Sequence, residues 1–79
     1  MRITEVANRT GVSADQIRYL ERKGFVESTR VQINKRLVRD FSEEAVRTID
    51  AISIYLAQGF KYDVAHEKAN QDIAQPRLI

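Results

Sequence analysis

Over the first 25 residues, apolar positions recur at helical spacing and are interrupted sharply. Val6 and Ala7 supply the buried side of a short first helix over 4–10. Thr4 is placed to cap it, and Gly11 suits the left-handed residue that ends a helix. Ser13 then opens a second helix over 14–23. Its hydroxyl can accept from the Gln16 amide while the Gln16 side chain reaches back, the reciprocal capping box. Val12 before that cap and Ile17 after it are spaced as a hydrophobic staple. A helix end and a helix start are compressed into Gly11-Val12-Ser13, and so tight a turn forces the steep crossing of a helix-turn-helix. Gly24 stops the second helix, with Phe25 folding back.

Over 26–41 the period shortens to two. Thr29, Val31 and Ile33 alternate with Arg30 and Gln32, and Leu37, Arg39 and Phe41 alternate with Val38 and Asp40. Two strands are predicted, turning near Asn34-Lys35, because Asn is among the few non-glycine residues that tolerate the left-handed region. Ser42 caps a longer helix over 42–58, with Glu43 and Glu44 favourable against its dipole and Phe41 and Val46 as a second staple. Ala45, Val46, Ile49, Ile52 and Leu56 continue the buried stripe to Gly59, where Phe60 can pack back on Tyr55. Ala51 and Ile54 lie off that stripe, open to a partner or to the last helix. That helix, over 62–71, is more weakly patterned, and Pro76 opposes its continuation. The predicted fold is mainly α: a helix-turn-helix over 4–23, a two-stranded β wing, then two further helices. Together they form a single domain over 1–79.

At 79 residues and 30% charged side chains, the chain reads as one ordinary globular domain. It has no cysteine, which excludes disulfides and cysteine-based zinc sites and suits a reducing cytoplasm. No apolar run approaches the roughly 20 residues that span a bilayer, and the N-terminus lacks a signal-peptide core. No membrane partner is expected. The net charge of +2 is unevenly spread: +4 up to Phe41 and −2 from Ser42 onward. A basic first half points to a polyanionic partner met through that half.

Ile17 and Leu20 point toward a core, while Asp15, Arg18, Tyr19 and Arg22, at i, i+3, i+4 and i+7, share the opposite face. Two guanidiniums and a phenol around one acid suit a nucleic-acid groove. A solvated surface is the commoner fate of charges at such spacings, but it does not account for Tyr19. The hairpin carries Arg30, Lys35, Arg36 and Arg39. Cations there also guard an exposed strand edge, a role compatible with phosphate contact by Coulomb attraction and counterion release. The candidate contact residues are therefore Ser13, Asp15, Gln16, Arg18, Tyr19 and Arg22, with Arg30, Lys35, Arg36 and Arg39 from the hairpin. Ser13 and Ser42 have better explanations as caps than as nucleophiles. The lone His66 is assigned no role. With no phosphate-cradling glycine loop or paired-carboxylate signature, neither an enzyme nor a cofactor is expected.

The stretch from Ile3 to Ser13, then Ile17-Arg18-Tyr19 and Glu21-Arg22-Lys23-Gly24-Phe25, resembles the N-terminal domain of MerR-family regulators. Arg39-Asp40-Phe41-Ser42-Glu43-Glu44-Ala45-Val46 is similar to the end of that family's wing and its third helix, and Gly59-Phe60 to the turn before its fourth. The resemblance covers about residues 2–72. It implies a recognition helix carrying Arg18 and Tyr19 in the major groove, with Arg39 on the backbone from the wing. It also implies a homodimer on a pseudo-palindromic promoter, with RNA polymerase affected indirectly through distorted DNA. Leu20 stands where an aromatic is frequent, and Ser28 replaces a common proline. The segment between Arg30 and Arg39 is longer than usual and lacks the usual glycine, which implies a wing of different reach. The family's long dimerisation helix and effector domain do not follow Ile79, so the chain is expected to be a piece of a longer regulator. Two rival readings use the same surface: an excisionase-like architectural DNA-binding protein, and a winged module that grips an acidic protein partner.

Overall fold

The computed structural model describes residues 1–74, and Pro76 lies outside them. The order is α1 (Ile3–Thr10), α2 (Ala14–Arg22), β1 (Thr29–Ile33), β2 (Arg36–Asp40), α3 (Glu43–Ala57) and α4 (Tyr62–Ala74). This is a winged helix-turn-helix, mainly α, as the periodicity predicts.

Local chemistry sets most boundaries. Gly11, at φ 76°, ends α1 by donating to the Ala7 carbonyl at 2.9 Å. Two residues on, the Ser13 hydroxyl accepts from the Gln16 amide at 3.1 Å and starts α2. Gly24 closes α2: its amide donates to the Glu21 carbonyl and that of Phe25 to the Leu20 carbonyl, the paired bonds of a Schellman cap. Gly59 and Phe60 repeat the device on Leu56 and Tyr55, with the Phe60 ring 5.9 Å from Tyr55. Ser42 caps α3 by accepting from Ala45 at 3.1 Å. Asn34, at φ 57°, leads a two-residue connection between antiparallel strands paired from Thr29 with Asp40 to Ile33 with Arg36.

Three expectations are corrected. α1 begins at Ile3 on an Arg2 cap that makes no side-chain bond, so Thr4 lies inside the helix. The start is fixed from afar: the Met1 ammonium donates to Asp40 Oδ1 (2.6 Å) and the Phe41 carbonyl (2.9 Å), and the Phe41 amide donates to the Met1 carbonyl (2.7 Å). The Gln16 side chain does not complete the capping box; it donates instead to the Tyr62 hydroxyl at 3.2 Å. α4 runs past 71 to Ala74, because its buried stripe is Ala65 and Ala69, which give a weak hydropathy signal but pack completely.

Val6, Ile17, Leu20, Phe41, Ile49 and Ile52 are almost wholly buried and form the centre of the core, joined by Ala65 and Ala69 from α4. Val26 and Phe41, also buried, anchor the two ends of the hairpin, whose strands are otherwise half-buried or exposed. Ala51 is half-buried against the core, whereas Ile54 stays 52% exposed and α4 does not cover it.

Candidate nucleic-acid interface

α2 buries Ile17 and Leu20 and turns Arg18 outward. Arg18 Nη1 donates to Asp15 Oδ1 at 2.9 Å, with both side chains open to solvent. An exposed pair of this kind is worth about 0–1 kcal/mol, so the guanidinium is readily surrendered to a competing anion. Tyr19 does not stand alone among charges. It is half-buried, its ring centre 4.9 Å from Tyr62 of α4, with Arg22 and Lys23 over it at 5.9 and 5.8 Å. Gln16 is half-buried on the same side and engaged with Tyr62. The outward face of α2 therefore consists of Asp15, Arg18 and Arg22, with Tyr19 at its edge as a platform for cations.

The residue that joins this helix to the hairpin is Glu21, which sequence reasoning did not single out. Its Oε1 accepts from Arg39 Nε at 2.7 Å, and its Oε2 accepts from Arg30 Nη1 at 3.0 Å and from the Ser28 hydroxyl. Only 14% of the side chain is exposed. Burial is the largest single influence and pushes the carboxyl up. The hydrogen bonds from Arg30, Ser28 and Arg39, with the Arg30 charge, together outweigh it and hold the pKa at about 2. Glu21 is thus ionised throughout the physiological range. A signal for it exists in the sequence. A two-residue turn at 34–35 sets Arg30 directly opposite Arg39, and like charges so placed are destabilising unless an anion lies between them.

The clamp leaves an open concavity of about 860 Å³ between α2 and the hairpin, lined by Arg18, Glu21, Arg22, Gly24, Val26, Glu27, Ser28, Arg30 and Arg39. Four guanidiniums meet two carboxylates there, and the balance is positive. A second hollow of about 370 Å³ is lined by Arg2, Ile3, Thr4, Arg30, Arg36, Leu37, Val38 and Arg39, with no carboxylate. Lys35 and Arg36 are exposed at the tip and form no ion pair among the described residues. Ser13 is exposed where α2 starts, its hydroxyl committed to capping. The structure thus gathers Arg18, Arg22, Arg30 and Arg39 around one concavity, sets Lys35 and Arg36 farther out, and turns Gln16 and half of Tyr19 toward α4.

A tight helix-turn-helix followed by an antiparallel hairpin, with cations lining the space between, defines the winged helix-turn-helix class. Within that class, the model of the MerR HTH family regulatory protein matches residues 1–72. The chain belongs to this family of DNA-binding regulators. No curated protein matches the chain. No helix among the described residues is long and apolar enough to cross a membrane.

Proposed function

We propose that the chain is the DNA-binding domain of a MerR-like transcriptional regulator, binding double-stranded promoter DNA in a sequence-specific manner. α2 enters the major groove with Arg18, Arg22 and Asp15 toward base edges and phosphates. The hairpin lies on the flanking backbone or minor groove through Arg30, Lys35, Arg36 and Arg39. A homodimer in the cytoplasm, acting on RNA polymerase through the shape of the promoter, completes the reading. The observation that carries it is the convergence of Arg18, Arg22, Arg30 and Arg39 on one open concavity between a groove-sized helix and a wing.

The test is fluorescence anisotropy with short duplexes recovered by the chain from a randomised pool, repeated across a range of salt. Affinity should fall steeply as salt rises, the signature of counterion release. Arg18→Ala should weaken binding about tenfold with the fold intact, as expected for a groove-facing guanidinium. A chain gripping an acidic protein partner instead would show no salt-dependent affinity for duplex DNA. Unchanged affinity in Arg18→Ala would remove that residue from the interface.

A further inference from the structure

The hairpin places an exposed apolar side chain within its cationic surface. Leu37 is 70% exposed, the most exposed large hydrophobic residue among the described residues. The cross-strand register pairs Leu37 with Gln32 and Arg39 with Arg30, so side-chain alternation puts these four residues on one face of the ladder. That face is the one turned to α2, since both arginines bond to Glu21 there. Leu37 also lines the second hollow, beside Arg2 and Arg36, with no carboxylate among the residues around it.

A leucine in a ring of guanidiniums does not suit an apolar protein partner, which would have to bury several charges to reach one side chain. It suits a ligand that alternates anionic oxygens with apolar carbon at short spacing. The sugar–phosphate edge of a duplex does this. Reach agrees. Leu37 lies two residues beyond Arg39, about 7 Å farther along the strand. A minor groove about 6 Å wide lies just past the phosphates flanking a helix in the major groove.

We infer that the hollow between the start of α1 and the wing is a second seat for duplex DNA, with Arg2 and Arg36 holding phosphates and Leu37 packed against deoxyribose in the adjacent minor groove. The inference rests on the DNA-binding reading and adds Arg2 and Leu37 to its contacts. Leu37 is the apolar member, and its contribution is independent of salt. Arg2 is an ionic member, and its contribution is not.

The experiment uses the full chain, the duplexes recovered by wild type, anisotropy across salt and hydroxyl-radical footprinting, which reports deoxyribose exposure in the minor groove. Leu37→Ala should lose about tenfold in affinity at unchanged salt slope, and should lose protection in the flanking minor groove. Leu37→Met should retain both. Arg2→Gln should reduce the salt slope by about one. If Leu37→Ala and Arg2→Gln bind and footprint like wild type, the second seat is overturned while the DNA-binding reading stands. If Leu37→Ala changes only self-association in sedimentation, leaving the footprint intact, the leucine serves a second copy of the chain and the inference also fails. A wild-type chain with no salt-dependent duplex affinity overturns both readings together.

Discussion

Arg30 and Arg39 face each other across the hairpin, and Glu21 lies between them with both carboxylate oxygens occupied. The folded carboxyl titrates at about 2, against an ordinary value of 4.5. A depressed folded pKa means that the clamp's contribution is fully present above the unfolded value and is lost as pH falls from about 4.5 through about 2. At neutral pH, Glu21→Gln should cost about 1–2 kcal/mol, allowing for solvent around the partly exposed guanidiniums. Melting temperatures of wild type and variant should therefore differ by a constant amount above about pH 5 and converge toward pH 2. Parallel acid profiles would mean that Glu21 does not bind the wing through its charge. Arg39→Ala tests the other side of the clamp. It should lower the salt slope of duplex binding by about one, because Glu21 compensates only one of the two arginines it holds. An unchanged slope in a folded variant would mean that the wing base stays off the phosphates.

Short elements in a small domain depend on their ends, since a helix of two or three turns is marginal without caps. α2 has nine residues, and the Ser13 cap satisfies one of its first amides. Ser13→Ala should cost about 1 kcal/mol, read as a shift in the urea midpoint at constant slope. A cost near zero would show that the turn is held by Val12 and Ile17 alone. Devices of this kind were the legible part of the fold. Gly11, Ser13, Gly24, Asn34, Ser42 and Gly59 act through backbone conformation or bonds within a few residues, and their meaning is local. What escaped reading came from distant partners. Thr4 lost its cap role to an N-terminus tied to Asp40 and Phe41, and Gln16 turned to Tyr62. Tyr19 looked unexplained on a charged face because its packing partner lies 43 residues away in α4. Of the candidate contacts, the cationic ones were legible from charge and spacing. Leu37 was not, since an alternating strand makes an exposed leucine look like a core residue. The Glu21 clamp behind the arginines was legible only through the pairing of Arg30 with Arg39 across the hairpin.

At the scale of the molecule, α4 braces the recognition helix. Its N-terminal residue Tyr62 meets Tyr19 at 4.9 Å and accepts from Gln16, and its ring lies parallel to Phe25 at 6.5 Å. Farther along, Ala65 and Ala69 are fully buried in the core that Ile49 and Ile52 of α3 share. Two alanines one turn apart allow the helices to approach closely, which sets where Tyr62 stands and so how α2 is supported. Ala69→Leu should force α4 outward or strain its rotamers, at a cost of about 1–3 kcal/mol. In a domain of this size that is a fall of several degrees or more in melting temperature. Ala57→Leu, at an exposed position near the end of α3, adds the same carbons and should change little. If the brace matters for recognition, duplex affinity of Ala69→Leu should drop even at temperatures where circular dichroism reports a fully folded chain. A destabilised variant with wild-type affinity would show that α4 supports the core without setting the recognition helix.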